Sequence, residues 1–116
     1  MIRFFVSGDP VPKQSFRYSG HGGGYTDPRV TAWQHQVGYA ARQNIAEPIA
    51  GSVSLKLYFY LRDNRRVDAD NLSKAVCDAL QGIAYQDDKQ VVDLHIKKII
   101  YRNDPGVWVE IDKRDE

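Results

Sequence analysis

The chain opens on an alternation. In "MIRFFVSG", Ile2, Phe4 and Val6 fall on one side and Arg3, Phe5 and Ser7 on the other. A period of two predicts a β-strand, closed here by Gly8. The stretch "DPVPKQSFRYSGHGGGYT" that follows carries two prolines and four glycines, which predict a mobile loop without regular structure. Asp27 then reads as an N-cap and Pro28 as the first helical position. Val30, Trp33, Val37, Ala40 and Ala41 recur at helical spacing, so a helix is expected from about Pro28 to Ile45. Gly38 weakens it by roughly 1 kcal/mol relative to Ala.

"SVSLKLYFYL" is the clearest strand. Val53, Leu55, Leu57, Phe59 and Leu61 take one face, and Ser54, Lys56, Tyr58 and Tyr60 the other. A charged connector, Arg62 to Val67, leads to a second helix from about Asn71 to Gln81. Leu72, Ala75, Val76, Ala79, Leu80 and Ile83 form its apolar stripe, and Gly82 suits its C-terminal cap. After the turn "AYQDDKQ", "VVDLHIKKIIY" reads as a strand with Val92, Leu94 and Ile96 inward. Its phase slips near Lys97 and Lys98, where a bulge is expected. "NDPG" turns the chain into a last strand, "VWVEID", which pairs with its predecessor as a hairpin. The β-α-β-α-β-β order predicts an α+β fold: a small mixed sheet with two helices, in a single domain over residues 1–116.

The length of 116 residues fits one domain with one core and no covalent staples. Hydrophobic residues at 42% and charged residues at 27% are an ordinary globular mixture. The net charge is only +1, so any basic surface for nucleic acid comes from clustering rather than from the total. Cys77 is the single cysteine. An intrachain disulfide is impossible, which fits a reducing cytosol. The N-terminal apolar run is too short for a signal peptide, and no run approaches the ~20 residues of a membrane span. The expectation is a soluble cytoplasmic protein.

The chemistry gathers around "RRVDADNLSKAVCDAL" and "YQDDKQVVDLHIKK". Each carboxylate there has a plain structural reading. Asp70 suits a helix N-cap, Asp68 the positive helix end, Asp87 and Asp88 a solvated turn, and Lys74 an i,i+4 ion pair with Asp70. The acid pairs also bracket a strongly apolar helix. Three carboxylates sharing a site would have raised pKa values unless a cation neutralised them. Mg²⁺ suits that task, because it takes oxygen ligands and needs only a few carboxylates. A bound metal also activates water and polarises a phosphoryl oxygen. Lys74, on the same helical face as Asp70, would aim a positive charge at charge developing on phosphate. Whether Asp88 approaches Asp70 is open at the level of sequence.

These two segments closely resemble the RusA-type Holliday junction resolvases, phage- and prophage-associated endonucleases that cut four-way DNA junctions. The family pattern is Asp-x-Asp-Asn-x-x-Lys, then Asp-x-Leu, then Asp-Asp-x-x-Val. Here it is met by Asp68, Asp70, Asn71, Lys74, Asp78, Leu80, Asp87, Asp88 and Val91. The opening "GDPVPKQSFRY" is a weaker match to the family's first strand and Pro-Lys-Arg loop. The resemblance implies a homodimer that uses Mg²⁺ for paired phosphodiester cleavage of a four-way DNA junction in recombination and repair. It implies that Asp68, Asp70 and Asp88 are catalytic acids binding the metal and that Lys74 is the catalytic lysine. Asp87 stands as the alternative to Asp88. Asn71 has a supporting place, holding a metal ligand or the helix start, and Asp78 a structural or ion-pair role.

Arg62, Arg65 and Arg66 directly precede the acids. Beside a metal site they would neutralise phosphates, although such runs are usually solvated. Lys13 and Arg17, interleaved with Phe16, Tyr18 and Tyr25, form a second candidate DNA surface that orders on the junction and stacks a base. His21, His35 and His95 lack metal-ligand spacing, and Trp33 and Trp108 read as core or interface. Two other functions fit the same residues. One is a metal-dependent nuclease acting on another DNA substrate. The other is a non-catalytic DNA-binding module whose acids are caps.

Overall fold

The structure, a computed structural model, describes residues 1–13, 27–63 and 67–114, together with the backbone of 17–18 and 24–25. Arg65, Arg66 and His21, and the side chains of Phe16, Arg17, Tyr18 and Tyr25, lie outside the described residues. The elements run β1 (Ile2–Ser7), β2 (Arg17–Tyr18), β3 (Gly24–Tyr25), α1 (Pro28–Asn44), β4 (Val53–Leu61), α2 (Ala69–Leu80), a 3₁₀ turn (Asp88–Gln90), β5 (Val91–Ile100) and β6 (Gly106–Lys113). The α+β class and the mixed sheet with two helices are therefore as expected.

The main sheet has the order β1-β6-β4-β5. β6 runs antiparallel to both β1 and β4, and β4 runs parallel to β5. The expected hairpin between the last two strands is not formed, because β4 lies between them. The glycine-rich segment is not wholly irregular either: Arg17 and Tyr18 pair with Tyr25 and Gly24 in a small antiparallel ribbon.

The inward faces of the strands form the core. Phe4 and Val6, then Val53, Leu55, Leu57, Phe59 and Leu61, then Val107, Val109 and Ile111 are all buried. Both helices cover this face. α1 begins on Asp27, whose carboxylate accepts the Arg29 N–H, and buries Val30, Trp33, Val37 and Ala41. α2 buries Leu72, Ala75, Val76 and Leu80, each large side chain contributing roughly 1.5–3 kcal/mol. Two boundaries of α2 differ from expectation. Its N-cap is Asp68, not Asp70, and the helix starts earlier, at Ala69. Its C-cap is Gln81, and Gly82 follows with φ +87°, a conformation that L side chains rarely adopt and that turns the chain back.

β5 departs most from its expected pattern. Val53 pairs with Val91 but Ser54 pairs with Asp93, so the bulge sits at Val92, not at Lys97 and Lys98. Leu94 shares the core-facing side with Leu55, and Ile96 with Leu57. β5 is the sheet edge, however, and the helices cover it incompletely. Val92 and Leu94 are 50% and 42% exposed, and Ile100 and Tyr101 48% each. On the opposite sheet face Phe5 packs against Trp108 and Tyr60, and Tyr60 against Tyr101. Trp33 is thus core, while Trp108 belongs to an aromatic cluster on the uncovered face.

Candidate active site

β4, α2 and β5 form a βαβ unit, and its topology decides where the acids stand. α2 is the crossover between two parallel strands. Its N-terminus therefore lies at the C-terminal end of β4, and its C-terminus beside the start of β5.

Asp68 and Asp70 stand at the α2 N-terminus. Asp68 Oδ1 accepts the Asp70 N–H at 2.9 Å. That bond fixes the Asp68 carboxylate over the helix start, and the positive helix end favours both charges. Lys74 lies one turn on and is exposed. The ion pair with Asp70 that the spacing allows is not made. Among the described residues no cation pairs with Asp68, Asp70 or Asp88, and no carboxylate pairs with Lys74. Three exposed acids and one exposed lysine are thus left with open valence toward solvent.

Asp87 and Asp88 behave differently from each other. Asp87 caps the 3₁₀ turn: its Oδ1 accepts the Lys89 N–H at 2.9 Å, and Gln90 Oε1 accepts the Asp87 N–H at 3.0 Å. Gln90 Nε2 in turn donates to the Ile49 and Gly51 carbonyls, 2.8 Å each. Asp88 contributes its N–H to Gln81 Oε1 at 3.2 Å, leaving its carboxylate exposed. The negative charges of Asp78 and Asp88 reach Cys77 and Tyr85. Burial first of all pushes the Cys77 thiol up to about 11, its hydrogen bond with Tyr85 opposing and those two charges adding to the rise. The Tyr85 hydroxyl is likewise raised by burial, and it donates to the Cys77 carbonyl at 2.8 Å.

Asp88 therefore belongs to the C-terminal end of α2. Asp68 caps the other end of this twelve-residue helix and Asp70 lies in its first turn, and the helix is about 18 Å long at 1.5 Å per residue. Within one chain the acids do not converge: among the described residues no three His, Cys, Asp or Glu side chains could hold a metal ion together. The donor chemistry still fits a hard cation. Asp68, Asp70 and Asp88 offer carboxylate oxygens, and no thiolate or imidazole stands among them.

The expected DNA-contact residues are positioned as follows. The Lys13 N–H donates to the Asn71 carbonyl at 2.9 Å, and its ammonium pairs with Asp78. This gives Asp78 the ion-pair role expected of it and fastens the N-terminal segment along α2. Arg62 Nε lies 3.3 Å from Asp9 Oδ1. Lys98 Nζ donates to the Val67 carbonyl at 2.9 Å, tying the far end of β5 to the residue before Asp68. The sequence reading missed Gln90, Gln81 and Lys98. Only Gln90 carried a signal, the Asp-x-x-Gln spacing of a capping box.

The family model for the endodeoxyribonuclease RusA matches residues 7–112. The chain belongs to the RusA endodeoxyribonuclease family. Among its relatives are two crossover junction endodeoxyribonucleases. The one from Aquifex aeolicus is 28% identical over 114 residues, covering 95% of this chain and 90% of that protein. The one from Enterobacteria phage 82 is 36% identical over 100 residues, 78% of each chain. The uncharacterized protein YqaN of Bacillus subtilis is 33% identical over 135 residues, 95% of this chain and 94% of its own.

Proposed function

We propose that the protein resolves four-way DNA junctions by paired phosphodiester cleavage, working with Mg²⁺ as a two-fold symmetric homodimer whose two active sites each combine acids from both copies. The family match over nearly the whole chain carries the reading, and the names of the Aquifex and phage relatives supply the junction substrate. Asp68, Asp70, Lys74 and Asp88 are exposed and without an ion-pair partner among the described residues, which supports a catalytic role for them beside the capping role of Asp68.

The separation of the acids supports the shared site. Asp88 precedes the start of β5, whereas Lys98, near its end, holds the segment leading to Asp68. Antiparallel pairing of two β5 edges about a dyad sets the start of one strand beside the end of the other. Asp88 of one copy would then stand by Asp68, Asp70 and Lys74 of its partner. The apolar side chains exposed on β5 would be covered by the same pairing. A dyad perpendicular to the sheet keeps both α2 helices on one face, so both sites would meet the same side of an open junction.

In that arrangement Asp68, Asp70 and the partner's Asp88 would hold Mg²⁺, which supplies a Lewis acid for the scissile phosphoryl oxygen. Lys74 stabilises charge that develops on the phosphate during in-line attack by water. Arg62, Arg65, Arg66, Lys13 and Arg17 are the proposed phosphate contacts, with Lys13 and Arg62 exchanging their present carboxylate partners for DNA. Asn71 supports the helix start, and Asp87 shapes the turn that presents Asp88. The test compares a synthetic four-way junction with linear duplex and flap DNA, with and without Mg²⁺. Junction-selective, Mg²⁺-dependent cleavage is expected. Asp70→Asn should abolish cleavage and keep binding, and retained cleavage in that variant would refute the metal role.

A further inference from the structure

We infer that the groove between α1 and α2 is a subsite for the DNA strand running on from the scissile phosphate, with Arg42 taking a phosphodiester and Tyr39 stacking an unstacked base. The inference rests on the proposed DNA-cleaving function and adds to it a contact surface away from the acids. The groove has a volume of about 480 Å³. Gly38, Ala79 and Ile83 line its floor, and His35, Tyr39 and Arg42 of α1 line its wall, spaced so that they share one helix face. Gly38 lets the turn after α2 pack closely against α1: a Cβ there would meet Ile83 Cδ1 at 3.3 Å.

Two features identify the occupant. Tyr39 is 68% exposed, so the core does not hold it, and an aromatic ring beside an open groove is a stacking surface for a base. The charge of the groove is the second. Arg42 is its permanently charged side chain, it has no carboxylate partner among the described residues, and no carboxylate lines the groove. His35 adds a further polar group. An anionic ligand complements this lining. The place is also appropriate. Gln81 lines the groove while its Oε1 holds the Asp88 N–H, so the groove runs directly up to one of the acids.

Arg42 also lies in the last turn of α1, where a cation favours the helix dipole, and the experiment separates that role from DNA contact. The full chain is titrated onto a fluorescein-labelled four-way junction without divalent ions, read by anisotropy at several salt concentrations. A 2-aminopurine beside the cleavage position reports base unstacking. Tyr39→Ala is expected to weaken binding roughly ten-fold and to remove the 2-aminopurine change, while Tyr39→Phe restores both. Arg42→Gln is expected to weaken binding and to lower the salt slope by about one. Lys56→Gln, at an exposed lysine on the sheet face away from the helices, should bind as wild type. If wild type cleaves the junction but Tyr39→Ala and Arg42→Gln bind it unchanged, the groove assignment alone is overturned. A lowered unfolding midpoint in Arg42→Gln with unchanged binding likewise leaves only the dipole role. Wild type that neither binds nor cleaves the junction overturns the functional reading and the groove together.

Discussion

Asp68 is given two tasks, and substitution can separate them. Its carboxylate caps α2 by accepting the Asp70 N–H at 2.9 Å, and its charge is one of the proposed metal ligands. Asn is as good an N-cap as Asp. Asp68→Asn therefore keeps the cap, relieves repulsion with Asp70 and removes the charge. Its urea-unfolding free energy should stay within about 0.5 kcal/mol of wild type, while Mg²⁺-dependent cleavage is lost. Asp68→Ala removes the cap as well. One orphan N–H of a twelve-residue helix is then left to water, which costs about 1 kcal/mol, or a melting temperature lower by roughly 3–6 °C for a chain of this size. Denaturation by circular dichroism and junction cleavage on the same samples give both readings. Asp68→Asn that folds normally and still cleaves would refute a metal role for this acid. Equal destabilisation by Asn and Ala would refute the capping argument.

Two further outcomes follow from the edge strand and from the buried thiol. Leu94→Lys puts a charge on the 42% exposed, core-facing side of β5. It should shift the mass measured by light scattering from dimer to monomer while circular dichroism still shows a folded chain, with the dimer's share of the stability and cleavage lost alongside; a dimeric Leu94→Lys would place the interface elsewhere. Cys77 and Tyr85 both have acidities weakened in the folded chain, Cys77 to about 11 from 9.0. Their neutral forms favour folding, so that contribution is complete below pH 9 and falls as pH rises from 9 toward 11, because the unfolded chain ionises first. Urea midpoints measured from pH 8 to 10.5 should decline, and Cys77→Ala should flatten the decline; an unchanged slope would contradict the thiol's share.

The sequence was legible where one face of an element meets the core and the other meets water. β4 alternates cleanly for that reason, and the stripe of α2 is plain because Leu72, Val76 and Leu80 all meet the sheet. β5 is harder to read because it is an edge strand. Leu94 and Ile96 share the core-facing side as expected, but its two faces differ little in burial, so alternation does not locate the bulge, which falls at Val92 rather than at Lys97 and Lys98. The insertion of β6 between β1 and β4 depends on pairings distant in the chain, such as Phe4 with Val109, and no local pattern encodes them. The acids were recognisable as a set through their spacing. Their arrangement was not, because a βαβ crossover places Asp68 and Asp88 at opposite ends of one helix. The capping role of Asp68 is set by the backbone of its turn, which spacing alone does not fix, whereas that of Asp87 is marked by the Asp-x-x-Gln spacing it shares with Gln90.

The shared active site is tested most directly by mixing two inactive variants. Asp70→Asn and Asp88→Asn proteins are each inactive alone. After co-unfolding and refolding at equal concentration, half of the dimers carry one copy of each. If each site draws Asp70 from one copy and Asp88 from the other, every mixed dimer has one site with both defects and one intact. Junction nicking on a single strand should then return to roughly a quarter of the wild-type site count, without paired cleavage. Mixed dimers with no activity, under conditions in which wild type refolds and cleaves, would contradict a site built from two copies.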